Sequence, residues 1–379
     1  VSVPLPVWTP ALVPVDLDGL AGRLRLLRAG IAHYDSDLHH HHPLLREQLY
    51  ALDRSRNPLL EDHELQGLIV DSAGRDVARL VVRARPGGVA CFSHFENSLG
   101  EAEARLLIAG ARDWARQRGC TSLIGPVGIR PEDPAGVQTD GFVHPPTAGT
   151  PHNPPAYGPQ LEATGLRPRW RLPAWRWELA GLDPVELAER TTRLKRKLGI
   201  TTRIAQLSQA HDEIALWAGV LARSGGEPWR GEHPVEALGA ALASQLPRHA
   251  LPGMVVFAER QGVPCGVIVT IPDVNQIVPR SGLWGPLAWI RLIRQRQSLR
   301  QGRVRYLAAC DSPGDDSISR LLLWEAALRG REHGLDWVEL SCGSEQDHLL
   351  VRLARELGAR RTRAFAIYGS DLDDIEERH

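Results

Sequence analysis

Apolar side chains recur along this chain in two rhythms, and the switches between them mark its elements. Residues 105–125, RLLIAGARDWARQRGCTSLIG, and residues 320–340, RLLLWEAALRGREHGLDWVEL, space apolar positions at i, i+3, i+4 and i+7, with charged residues opposite. That spacing predicts an amphipathic helix of about four turns in each. Gly119 and Gly334 follow the last periodic positions. A helix C-cap there takes a left-handed residue, which glycine supplies at least cost. A short β-like run closes each segment.

The likeness extends in both directions and makes an internal repeat. DVARLVVRA and GGVACFSHF read as strands before the first helix, and GMVVFAER, PCGVIVTI and RVRYLAAC before the second. Afterwards, LEATGLRPRWRLPAWRWEL matches LARELGARRTRAFAIYGSDL, each a short helix, a glycine turn and an arginine-studded last strand. One copy reads β-β-β-α-β-α-β. The expected fold class is therefore α/β, an α+β mixed sheet with helices packed on it, built twice.

Helical patterns in DPVELAERTTRLKRKLG and EIALWAGVLARSG bridge the copies, and the turn signal ELAGLDP puts a boundary near Gly181. The expected domains are 1–180 and 181–379. Only the first copy carries a Pro- and Gly-rich insertion, residues 126–160. Loops of that length are usually functional or disordered. Its prolines, each fixing one φ, favour an ordered loop.

Composition narrows the function. A chain of 379 residues suits two domains. Lys+Arg and Asp+Glu stand at 45 each, so an electrostatic partner has to meet a local patch. The five cysteines form no CxxC pair and are odd in number, which argues against a disulfide framework and a zinc ribbon. No apolar run reaches spanning length, and no opening stretch reads as a signal peptide. The expectation is a cytoplasmic protein with no membrane partner. The run His39–His42 invites a metal reading, but a solvated loop is expected there and no metal site.

The order strand, loop, helix, strand with a splayed end, helix, strand resembles the GNAT superfamily. The tandem form is similar to Fem-type aminoacyltransferases and other two-domain GNAT proteins. Four segments resemble a bacterial branch of that superfamily: YDSDLHHHHPLLREQLYALDRSRNPLLEDHE, FSHFE, DGFVHPPTAGTPHNPPAYGPQLEATGL and IPDVNQ. The resemblance covers about residues 30–368. It implies an acyltransferase with an acyl thioester co-substrate and no tightly bound cofactor.

The departures from that pattern shape the expectation. GNAT enzymes hold the CoA pyrophosphate on backbone N–H groups of a glycine-rich loop opening the long helix. The equivalent stretches here are FENSLGEAEARLL and CDSPGDDSISRLLLW. Each keeps one glycine, Gly100 or Gly314, and adds acids: Glu101 and Glu103, or Asp315 and Asp316. Carboxylates there repel a pyrophosphate. The donor expected is therefore a phosphopantetheine thioester on an acyl carrier protein rather than free CoA. Donor contacts are expected from Leu307, Ala308, Ala309, Ser312, Gly314, Ser317, Arg303 and Arg305.

Catalytic candidates are Glu96, at the end of the splayed strand, and Asp140, His152 and Tyr157 in the insertion. His144 lies in the same loop. An acid or histidine there could take the proton of an attacking amine. Asn153, Asn275 and Gln276 are candidates for holding a small amine acceptor, although Asp140, Asn153 and the IPDVNQ residues could equally shape turns. The stretch IRLIRQRQSLRQGRVR is either a docking face for a carrier protein, a phosphopantetheine phosphate or RNA, or a solvated helix face. Two alternatives stay open: an aminoacyl-tRNA-dependent Fem-like transferase, and a GNAT pair that binds a ligand without catalysis.

Overall fold

The computed structural model describes residues 9–61, 63–130, 133–206, 209–224, 239, 253–278, 280–281, 286–295, 298–311, 315–341 and 343–372. Its elements in chain order begin with β1 (Ala11–Val15), α1 (Leu20–Arg28), α2 (Leu45–Ala51), β2 (Glu64–Ser72), β3 (Arg75–Arg85), β4 (Val89–Asn97), α3 (Glu101–Arg116) and β5 (Ser122–Gly125). Next come β6 (Val137–Asp140), α4 (Tyr157–Ala163), β7 (Arg167–Glu178), α5 (Pro184–Leu198), β8 (Thr201–Ile204), α6 (Ala210–Arg223), β9 (Val255–Arg260) and β10 (Val263–Pro272). The last are α7 (Pro286–Gln295), β11 (Gln301–Ala309), α8 (Ser317–Glu332), β12 (Trp337–Leu340), α9 (His348–Glu356) and β13 (Arg360–Asp371). The repeat is thus real: apart from β6, which lies in the insertion, β2-β3-β4-α3-β5-α4-β7 and β9-β10-β11-α8-β12-α9-β13 have the same order. Gly119 and Gly334 take φ of 67° and 77°, as their cap positions require.

Two compact units form. One holds residues 1–139, 151–169 and 366–379, the other 140–150 and 170–365. In the first, the strand order is β1-β2-β3-β4-β5 followed by the end of β13, which also takes β6. Its core packs Leu107, Ile108 and Ala111 of α3 onto Leu80, Val82 and Phe92 of the sheet. In the second unit, β13 begins the order β13-β7-β12-β11-β10-β9-β8. There Leu321, Leu322 and Ala326 of α8 pack on Val256, Ile268 and Val304.

The final strands are exchanged relative to the repeat. β5 pairs antiparallel with Tyr368–Asp371 of β13, and β12 pairs antiparallel with Trp175–Glu178 of β7. Each copy's last strand therefore completes the other copy's sheet. The insertion is divided as well, residues 140–150 packing with the second unit.

Both units open their ladder at the same step. β4 and β5 pair in parallel only from Val89↔Ser122 to Cys91↔Ile124; the Phe92 carbonyl still takes the Val127 N–H, and β4 then runs on to Asn97. β11 and β12 pair from Gln301↔Trp337 to Val304↔Leu340, and β11 runs on to Ala309. A one-residue register shift marks each opening: β3–β4 slips between Arg79 and Val81, β10–β11 between Val269 and Thr270. His94, in the β4 bulge, has φ +54°. Such bulges bend a strand and re-aim its side chains.

Candidate active site

In the first unit the bulge brings Glu96 opposite Arg79 on β3. Directly opposed residues put their side chains on one face, and the guanidinium stands 3.8 Å from the Glu96 carboxylate. The other Arg79 donors go to the carbonyls of Leu26, Leu27 and His94. Burial pushes the Glu96 carboxyl above its usual range, and Arg79 and two tyrosines offset this only partly. The side chain keeps 18% of its exposure.

Tyr157, the first residue of α4, completes the arrangement. Its hydroxyl donates to Glu96 Oε2 at 2.8 Å and accepts the Asn97 N–H at 2.9 Å. His33 Nε2 lies 3.3 Å from the same oxygen. Burial raises the Tyr157 phenol, so it stays a donor, and lowers His33, which favours the neutral ring. Tyr34, buried beside them, donates to the His152 carbonyl at 3.3 Å. His152 Nε2 meets Asp37 Oδ2 at 2.7 Å. Burial alone would raise Asp37, but the His39 N–H and the His152 ring hold it low. Glu96, Tyr157 and His152 thus belong to one connected cluster. Its other members, His33, Tyr34, Asp37 and Arg79, were not singled out from sequence. An arginine inside the apolar run DVARLVVRA was the available signal, since a buried cation needs a partner.

The run His39–His42 departs from the solvated loop expected of it. His40 is buried and stacks on Tyr34 with ring centroids 3.5 Å apart, and burial lowers its ring to about 3. Among the described residues, no group of three or more His, Cys, Asp or Glu could hold a metal ion.

The remaining candidates take other places. Asn153 is buried and clamps backbone, accepting the Gln138 N–H at 2.6 Å and donating to the Pro154 carbonyl at 2.9 Å. Asp140 is exposed in the second unit, its carboxylate accepting the Gly141 N–H. The His144 N–H closes a turn onto the Gly141 carbonyl. Asn275 donates to the Pro146 carbonyl and Gln276 to that of Asp273, so both brace loops of the second unit. Arg303 donates to Ser341 and to the Gly149 carbonyl. Arg305 approaches Gly149 as well. Leu307, Ala308 and Ala309 form the free-running end of β11 and pair with β10 on its other side. Ser312 and Gly314 lie outside the described residues.

Arg303 belongs to a buried polar cluster. Glu339 accepts from Thr147 and Ser341 at 2.9 Å and from Arg363 at 2.5 Å. Burial opposes its charge, but Arg363 and Arg303 hold the carboxyl low. Asp273 accepts the Ala148 N–H, and burial pushes it up to about 6. The cluster bolts residues 146–149 in place.

The loops expected to face phosphate are occupied from within. In the first unit the Leu99 N–H goes to Asn97 and the Gly100 N–H to Glu103. In the second, Asp311 takes the N–H groups of Ile318 and Ser319 at the start of α8. The expectation placed Asp315 and Asp316 against the phosphate. Asp315 accepts the N–H of Ser317, the first residue of α8, at 2.9 Å, Asp316 is paired with Arg320 and Arg352, and Asp311 seats a second carboxylate on the helix N-terminus.

No protein-family model matches this chain. Over 347 residues it is 26% identical to the bacterial ceramide synthase of Caulobacter vibrioides (strain NA1000 / CB15N), across 87% of this chain and 90% of that protein. It is 23% identical over 332 residues to Protein YghO of Escherichia coli (strain K12), across 84% and 85% of the two. Among solved structures it resembles a tandem GNAT protein from the clavulanic acid biosynthesis pathway, without AcCoA. The TM-score is 0.56 at 14% identity, over 96% of this chain and 99% of that one. With two β-β-β-α-β-α-β copies, each opening a parallel strand pair at a bulge, this chain has the tandem GNAT fold.

Proposed function

We propose that the chain is an N-acyltransferase whose chemistry lies in the first unit, with Glu96 as general base. The observation carrying this is the position of Glu96: at the opened end of β4, partly exposed, and raised by burial. A carboxylate with a raised pKa is the stronger base, suited to taking a proton near neutral pH. The amine attacks the thioester carbonyl; the C–N bond forms and the C–S bond breaks. Glu96 receives the proton lost by the nitrogen, and the thiolate leaves to be protonated. Tyr157 keeps Glu96 oriented through its 2.8 Å hydrogen bond, and the neutral His33 ring holds the Tyr157 hydroxyl in place. His152 acts through Asp37 by holding the segment that leads into Tyr157.

The occupied phosphate loops support a donor that needs no pyrophosphate cradle, such as a carrier-protein thioester. For the acceptor, the Caulobacter relative is the guide. A ceramide is an N-acylated long-chain amino alcohol, and such an amine is the first acceptor to try. The test incubates the full chain with an acyl group on CoA or on a carrier protein, and with a long-chain amino alcohol or a short amine. Mass spectrometry reads the amide. Product from the carrier-bound donor, lost in Glu96→Gln, is expected. No amide from any pairing, or full activity in Glu96→Gln, would overturn the reading.

A further inference from the structure

Between Asp273 and Asp311 the chain has no acidic residue and seven arginines, at 280, 291, 294, 296, 300, 303 and 305. In a chain whose charges balance overall at 45 each, this is a strong local excess. Arg303 and Arg305 turn to the 146–149 loop. Arg291 and Arg294 do not: both lie exposed on α7.

The geometry of α7 sorts its side chains. At 100° per residue, Leu287, Ile290, Arg291 and Arg294 share one face. Leu292, on the opposite face, is 6% exposed and packs with Ala148, Val274 and Leu299. Leu287 is 81% exposed and Ile290 45%. One face of the helix is therefore anchored, while the other offers two aliphatic side chains interleaved with two arginines.

We propose that α7 docks the protein on an anionic phospholipid surface, lying in the interface with Leu287 and Ile290 inserted and Arg291 and Arg294 on the headgroups. An exposed apolar-and-basic helix face is what such a surface binds. RNA would be met by the arginines alone and gives the aliphatic pair no role; an acidic carrier protein on this face is an outcome of the test below. The proposal differs from the expectation of no membrane partner, which rested on overall charge and the lack of a spanning segment. Surface attachment needs neither. It stands independently of the acyl-transfer reading.

The test is flotation of the full chain with vesicles of phosphatidylcholine and phosphatidylglycerol, against phosphatidylcholine alone. Binding only to the anionic vesicles, weakened by salt, is expected. Arg291→Glu with Arg294→Glu should lower partitioning by about thirtyfold or more, from the attraction of two basic residues near the surface. Leu287→Ser with Ile290→Ser should lower it by about tenfold while keeping the salt dependence. Melting curves check that both variants fold. No binding to anionic vesicles overturns the proposal. So does binding indifferent to the aliphatic pair, or arginine variants that lose carrier protein or RNA but keep the vesicles.

Discussion

In the first unit, β4 runs past its last contact with β5 through Ser93, His94, Phe95, Glu96 and Asn97, and the opened strand end is polar and acidic. In the second, β11 runs past β12 through Arg305, Tyr306, Leu307, Ala308 and Ala309, with no acid in that stretch. The backbone event is the same, a bulge and an opened ladder, but the side chains offered differ. The buried polar groups differ in kind as well. Around Glu96 they are imperfectly balanced, leaving a partly exposed carboxyl raised. Around Glu339 they are closed on one another and hold a loop. We read this as a division of labour, with chemistry on the first copy and support on the second.

The largest effect that sharpens this contrast is on turnover. Glu96→Gln should lower kcat by about a hundredfold to ten-thousandfold, the usual worth of a general base, with little change in melting temperature. In the wild type, activity should fall as pH drops through a value above the ordinary glutamate range, because the base must be deprotonated. Equal activity losses from Glu96→Gln and Glu339→Gln, measured on folded protein, would break the division.

Next in size is a stability effect in the second unit. Glu339→Gln leaves the Arg363 cation buried without its counter-ion, which costs about 3 to 5 kcal/mol. Urea unfolding reads this directly. Activity at a temperature where the variant stays folded should be much less affected.

Acid should separate the units. His40, His63 and His94, all in the first, are lowered by burial to about 3, about 4 and about 4. Their folded values lie below the unfolded one, so the unfolded chain binds protons first. The stability they contribute is complete above pH of about 6.5 and is lost as pH falls, by up to about 1.4 kcal/mol per unit for each. Hydrogen exchange should show the first unit opening before the second between neutral pH and the folded values. The reverse order would mean that these rings are hydrated in solution.

The smallest effect has the opposite sign. Asp273 is raised by burial to about 6, so its protonated form is the one folding favours. Its stabilising contribution is full below the unfolded value and lost as pH rises through about 6. Asp273→Asn keeps an oxygen for the Ala148 N–H and removes the buried charge. It should raise stability at pH 8 by on the order of 2 kcal/mol, and leave it nearly unchanged in acid. Melting at the two pH values decides this.

Much of this molecule was legible in its sequence because the signals are local. The helices α3 and α8 come from a spacing that any short window contains, and Gly119 and Gly334 end them for reasons of backbone sterics alone. The repeat gave the order of elements, and with it the fold class. Glu96 and Tyr157 could be named because one ends a strand and the other sits in a proline-braced loop. Their partnership could not be named, because it depends on a bulge at His94 that turns Glu96 toward Arg79. His40 looked solvated, since four histidines in a row carry no periodicity. Its burial comes from Tyr34 stacking on it.

What the sequence determined by itself was therefore the set of elements and their order. The tertiary structure decided which strands close which sheet. β13 pairs with β5, and β7 with β12, although the repeat offers each copy its own last strand. It also decided that Asp311 joins Asp315 in seating a carboxylate on the α8 N-terminus, while Asp316 pairs with Arg320 and Arg352. Periodicity records which face of an element is apolar. It carries no address for the surface that face will meet, and two similar copies offer similar surfaces. That choice rests on packing and hydrogen bonds between residues far apart in the chain.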